Sequence, residues 1–265
     1  MQDRVALSVV DIRNRQQVRE ACQRIQPEIV YHLAAYGVHA EQQDVPSAVE
    51  TNVTGTANVL EGLRGTVCGL LVATGTWAEY GDKDHPIVET EALEPVGVYG
   101  ATKAASSLIA LAFAAQWKVP VIVLRPFSVY GPGEGGNKFV PSVIRACLGG
   151  INPRLTSCKQ IRDYLYVGDV VEAYVAAAAL AASPVSMAVN VASGVPLRLE
   201  DFANAIVGQF PGITAEFGAL PDRDREIKKV QADIARARAV LGWAPAWSLE
   251  DGIRATIEWF TSHDK

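Results

Sequence analysis

Short apolar runs alternate with longer stretches of mixed character along the first half of the chain. RVALSVVDI predicts a strand ending near Asp11, followed by a polar, helix-like stretch to Ile25. IVYHLAA predicts a second short strand, introduced by Pro27 and giving way to a loop after Ala35. A helix around Ala48 to Leu63, a strand at Leu70 to Ala73, a helix opening near Tyr99 and the strand VIVLRP from Val121 to Pro126 continue the rhythm. Strands and helices alternating at this spacing indicate parallel β/α units, and so an α/β fold with a doubly wound parallel sheet.

The densest chemistry lies between Leu70 and Gly133. Tyr99 and Lys103 are four apart at the start of an alanine- and leucine-rich helical run, and residues i and i+4 share a helix face. An ammonium near a phenol favours the phenolate, so Lys103 is expected to lower the pKa of Tyr99 and make it a usable acid/base. Thr76, just beyond the apolar run from Gly69 to Ala73, can donate to or accept from the same substrate oxygen.

Composition narrows the setting. The chain has 265 residues, nearly half of them apolar, with 29 acidic against 24 basic side chains, so it carries no basic footprint for nucleic acid or an anionic membrane. No run reaches the roughly 18 uninterrupted apolar residues of a membrane span, and MQDRVALSVVDIRNR has no signal-peptide core. A cytoplasmic location is the expectation. Cys22, Cys68, Cys147 and Cys158 have no metal-ligand spacing, nor do His32, His39, His85 and His263, and no metal is expected.

HLAA at His32 to Ala35, TNVTGTANVLEG at Thr51 to Gly62, the Thr76 segment, YGATK, LRPFSVYGPG, IRDYLYVGDVVEAYV and a late LGWAP-W-SLEDGI occur in order over nearly the whole chain. Together they resemble the extended short-chain dehydrogenase/reductase family, most closely its NAD-dependent epimerase/dehydratase group that acts on nucleotide sugars. The resemblance implies a Rossmann-like, NAD-binding domain over residues 1–135, to which part of the later chain returns. A smaller lobe at 136–265 would be mainly nucleotide-sugar-binding.

The same resemblance assigns roles. Thr76, Tyr99 and Lys103 would be catalytic, with Tyr99 and Lys103 also on the cofactor side. Asp11 and Ile12 match an acidic-apolar pair that faces adenine, while Leu33, Ala34, Ala35 and Asn52 match cofactor-side positions. Thr76, Ser128, Arg162 and Arg223 would meet the substrate; a guanidinium fork suits diphosphate oxygens. Arg225 rivals Arg223, and Arg162 could instead pair with Asp163 or Asp169. Trp243, Trp247 and Trp259 read as packing residues. Family members usually form homodimers through the Tyr99 helix and the helix near Asn52, and Leu108, Ile109, Leu111 and Phe113 spread apolar surface around the Tyr99 helix, as a dimer interface or a monomeric core helix would.

The family's opening strand, GxxGxxG turn and helix are missing: Gly37 is the first glycine. In the strand order 3-2-1-4-5-6 the missing strands would lie between the strand ending at Asp11 and the one ending at His32, leaving the first without neighbours and the second with an open edge. Either Met1 is an internal start of a longer protein, or cofactor binding is impaired. The residue that separates NAD from NADP lies in the missing segment, so NAD is expected with NADP left open. Dehydratases of the family carry an acid immediately after the threonine, where this chain has Trp77 and Ala78; Glu79 would have to be displaced by one residue to substitute. Epimerisation of a nucleotide-diphosphate sugar through a transient keto-sugar is therefore the first reading. A keto-sugar reductase and a non-catalytic sugar-nucleotide-binding remnant are the alternatives.

Overall fold

The computed structural model describes residues 5–39, 41–183, 185–222 and 227–263. Helix α1 (Arg15–Ile25) starts where the Asn14 side chain accepts from the N–H groups of Gln16 and Gln17, and it stops at Gln26 in the left-handed region. Strand β1 (Ile29–His32) follows. A continuous helical segment comes next: α2 (Val45–Ala48), a π-helical stretch Val49–Gly55 and α3 (Thr56–Leu63). Strand β2 (Leu70–Thr74) runs into a 3-10 turn at Trp77–Glu79, and α4 (Val98–Trp117) leads to β3 (Val121–Pro126). These elements match the predicted rhythm from Arg15 onward.

The predicted strand ending near Asp11 does not form among the described residues. Residues 5–10 carry no regular structure, and Leu7 and Val9 are 92% and 104% exposed. The cause is the sheet itself. Its order is β1-β2-β3-β6, with β6 at Met187–Val191, so β1 is an edge strand. A strand forms only where a neighbour answers its N–H and C=O groups. The segment is instead held by side chains: Asn58 Nδ2 donates to the carbonyls of Ile12 and Arg13, at 2.9 and 3.1 Å, and Arg24 donates to the Ser8 hydroxyl.

The chain folds into two compact units whose segments interleave, with a later stretch, residues 177–188, lying in the first. The first unit comprises residues 1–79, 93–124 and 177–188; the second comprises 80–92, 125–176 and 189–265. Both β3 and β6 begin in the first unit and end in the second.

In the first unit β1 pairs with β2 and β2 with β3, all parallel, in the register Ile29 to Leu70 and Leu71 to Val121. Leu70 to Val72 and Val121 to Leu124 are fully buried. Leu60, Leu63, Ala110 and Phe113 cover them from α3 and α4, each large side chain contributing about 1.5–3 kcal/mol of burial. Helix α1 lies close on α3: a Cβ added at Gly62 would stand 3.1 Å from Cys22 Sγ. Helix α4 is long and apolar enough to cross a membrane by length and composition, but here it packs against α3, the π-helical stretch and the 3-10 turn.

The second unit has a three-stranded sheet of β4 (Ser128–Tyr130), β5 (Ile161–Tyr166) and β7 (Pro196–Arg198), parallel then antiparallel. Helices α5 (Phe139–Leu148), α7 (Leu199–Val207) and α8 (Leu249–His263) bury Ile144, Phe202, Ile206, Ile253 and Phe260 against it, and α6 (Val167–Ala178) follows β5 directly. Buried Asp163 ties the unit together by accepting from Ser193 N and Oγ, Gly194 N and Ala232 N at 2.6–3.1 Å. Trp243 is buried, with its indole N–H donating to Asp169 O. Trp247 packs on Tyr166, and Trp259 stacks on His263.

Candidate active site

The catalytic set predicted from sequence gathers within the first unit. Thr76 follows β2, where Gly75 N–H donates to Leu124 O at 2.6 Å and fixes the chain at the carboxyl end of the sheet. Ligands of open α/β sheets bind at this end. Helix α4 begins at Val98 and carries Tyr99 and Lys103 on one face. It can approach the 3-10 turn because residue 100 is glycine: a Cβ there would meet Ala78 O at 2.5 Å. The Thr76 side chain is near enough to the Tyr99 phenol to lower its pKa.

The electrostatics differ from the expectation. Burial raises the Tyr99 pKa above the ordinary phenol value; the Thr76 side chain works the other way, and the negative charge of Glu79 raises it further. Lys103 is also buried, which lowers its pKa, and Glu79 partly restores it. The ammonium donates to Thr74 O at 2.6 Å. The expected lowering of the Tyr99 pKa by Lys103 does not appear: burial raises it and the Glu79 charge adds to the rise, with only the Thr76 side chain opposing them.

Glu79 is the residue that sequence reasoning misplaced. Considered only as a displaced dehydratase acid, it is in fact 0% exposed, and its Oε1 accepts from Thr76 N–H at 3.0 Å and from Ser107 Oγ at 2.8 Å. The available signal was Ser107, four residues after Lys103 and hence on the same face of α4. Trp77 and Ala78, by contrast, are partly exposed.

A second buried polar layer supports the set. Thr56 Oγ1 donates to Asn52 O at 2.6 Å and so uses its only hydrogen; His32 Nε2, 3.0 Å away, must then be the donor to it. That assigns the neutral Nε2–H tautomer, and burial, with Lys103 nearby, pulls the His32 pKa down to about 4. Asn52 Nδ2 donates to Tyr36 O and Thr102 Oγ1, and its Oδ1 accepts from Tyr36 N–H, stapling the loop after β1 to α4. Gly37 in that loop has φ 94°, and a Cβ there would lie 3.1 Å from the Tyr99 ring. Leu33 and Ala34 are exposed at the end of β1 and Ala35 is half-buried.

The other predicted residues are dispersed. Asp11, near the chain start, forms a bidentate ion pair with Arg13 that holds its exposed carboxyl down at about 2, while the Ile12 side chain lies against Gly55. In the second unit Ser128 pairs with Tyr164 in the β4–β5 register, and Arg162 lies two residues before Tyr164, so Ser128 and Arg162 occupy one face of the small sheet. Arg162 Nη1 donates to Ile161 O at 2.8 Å. Arg223 and its rival Arg225 lie outside the described residues.

Residues 2–192 match the sequence model of the NAD dependent epimerase/dehydratase family. The UDP-glucose 4-epimerase of Mycolicibacterium smegmatis is 31% identical over 88% of this chain and 76% of its own length. The dTDP-glucose 4,6-dehydratase 1 of Escherichia coli is 29% identical over 91% of this chain and 74% of its own. The solved structure of the Bacillus cereus UDP-glucuronic acid 4-epimerase, in complex with UDP-glucuronic acid and NAD, superposes with a TM-score of 0.84 at 25% identity, covering 96% of this chain and 80% of that one. These likenesses support the α/β, Rossmann-like fold expected from the β/α rhythm.

Proposed function

The chain belongs to the NAD-dependent epimerase/dehydratase family, and from that premise we propose that it is an NAD-dependent epimerase of a nucleotide-diphosphate sugar, acting through a transient keto-sugar. The observation that carries this reading is the turn after Thr76. A dehydratase needs an acid beside the leaving hydroxyl, but the partly exposed positions hold Trp77 and Ala78, and the one carboxylate of the turn, Glu79, is fully buried with its Oε1 occupied by Thr76 and Ser107.

The residues at the carboxyl end of the sheet fit a nicotinamide dinucleotide. The small side chains of Ala34 and Ala35 leave room beside β1, the loop at Gly37 closes tightly on the Tyr99 ring, and Lys103 uses one of its three N–H groups on Thr74 O. Leu33, Ala34, Ala35, Tyr99 and Lys103 would hold it. The nicotinamide, when bound, supplies the acceptor and donor of the sugar hydride. Tyr99 Oη takes the proton of the sugar hydroxyl and gives it back, Thr76 Oγ1 orients that hydroxyl, and Lys103, one turn on along α4, serves the cofactor side. Ser128, Arg162 and Arg223 are the proposed contacts for the sugar and its diphosphate.

We assign the protein to the cytoplasm and to a homodimer. Support for the dimer comes from α4, where Ala101, Leu108, Ala112 and Ala115 form an exposed apolar stripe, with Val45 and Val49 also exposed on the helical segment around Asn52. Light scattering of the purified protein tests it.

The functional test is calorimetric titration with NAD followed by NMR of UDP-sugars incubated with the complex. Epimer formation without net consumption of NAD is the expected result. Stoichiometric reduction of NAD to NADH with a keto-sugar as product would identify a keto-sugar reductase running in reverse instead, and sugar-nucleotide binding without turnover a non-catalytic protein.

A further inference from the structure

We propose that Glu79 is a positioning residue for the Thr76, Tyr99 and Lys103 set, clamping the Thr76 turn onto α4 through Ser107 and holding a fixed negative charge behind the reacting groups. The proposal rests on the epimerase reading for its role in turnover, but its geometry stands independently of substrate. One carboxylate oxygen accepts two hydrogen bonds from opposite sides: Thr76 N–H at 3.0 Å, in the turn, and Ser107 Oγ at 2.8 Å, one helical turn beyond Lys103. The side chain is fully buried and does not touch solvent.

A buried carboxylate is costly unless its environment compensates it, and here two of the compensating donors come from the catalytic elements themselves. The backbone N–H of Thr76 is held by Glu79, and the Thr76 hydroxyl accepts from Ala78 N–H at 3.3 Å, so the hydroxyl is presented from a turn pinned at two points. Close approach of helix and turn at Gly100 means that a shift of Glu79 would be felt at Tyr99. Tyr99 and Lys103 on α4 feel this charge, and Lys103 in turn is near His32 of β1. His32 is neutral above about pH 4 and does not contribute in the working range. The Glu79 charge raises the proton affinity of both Tyr99 and Lys103.

Two substitutions separate this role from a merely structural one because they move proton affinities in opposite directions. Glu79→Gln keeps the shape and an accepting oxygen but removes the charge, so both limbs of the kcat–pH profile move to lower pH, by about one unit, with KM unchanged. Ser107→Ala keeps the charge but removes a donor that partly neutralises it, so the acid limb moves to higher pH. An unshifted profile in Glu79→Gln overturns the proposal whatever happens to kcat. Should that variant not fold, an unshifted Ser107→Ala profile overturns it. If the wild-type chain turns over no nucleotide sugar, the functional reading fails while this one stays testable: NMR titration of 13C-labelled tyrosine, with Tyr99 assigned by Tyr99→Phe, must show the same opposite shifts.

Discussion

The Lys103 ammonium donates to the backbone carbonyl of Thr74 at 2.6 Å, which ties the cation on α4 to the last residue of β2. Strand end and helix are thereby locked together where Thr76 and Tyr99 meet. Removing the ammonium would take this donor from Thr74 O and this positive charge from the buried Glu79 carboxylate, and loss of one partner of a buried charge interaction is destabilising. Lys103→Met is therefore expected to lower kcat by about 10²-fold or more and to lower the melting temperature. Steady-state kinetics and calorimetric melting on one preparation check both.

His32 makes stability depend on pH. Its folded pKa is about 4 against an unfolded value near 6.5, so between these values the unfolded chain binds more protons. The contribution, at most about 3 kcal/mol, is complete above pH 6.5 and lost as pH falls through 4. Urea denaturation of wild type and His32→Gln at pH 7 and pH 4.5 measures it; the variant is expected to lose most of the difference.

Gly100→Ala tests the approach of α4 to the turn. The new methyl would meet the Ala78 carbonyl at 2.5 Å, and backbone cannot swing aside as a side chain can. Overpacking of this kind costs about 1–3 kcal/mol, and displacement of Tyr99 from Thr76 should lower kcat as well. Wild-type activity with wild-type melting would show that the contact is slack.

Asn58→Ala removes the two hydrogen bonds that hold the carbonyls of Ile12 and Arg13. The expected loss is about 1 kcal/mol, with faster amide hydrogen exchange confined to the first residues of α1 and the segment before it. Faster exchange throughout the sheet would mean that the segment supports the whole unit.

The β/α rhythm was legible because each buried strand is a run of four to six apolar residues between turn signals, and Tyr99 with Lys103 was legible because four residues make one helical turn. What sequence could not show depends on partners remote in the chain. The strand expected up to Asp11 needs a neighbour on the open side of β1, and the described residues supply none. Lys103 finds a backbone carbonyl, which no side-chain pattern announces. Tyr99 was expected to be acidified by Lys103, yet burial and Glu79 dominate, because desolvation depends on the packed environment. The interleaved division of the chain likewise reflects which segments pack together rather than any shift in composition.

The most direct test of the central claim is to incubate the protein, NAD and UDP-glucose deuterated at C4, and to follow the sugar by NMR. Formation of the 4-epimer with deuterium retained at C4, no net NADH, and loss of turnover in Tyr99→Phe is the expected result. A protein that binds both ligands but yields no epimer, or yields it equally well without the Tyr99 hydroxyl, would contradict the account.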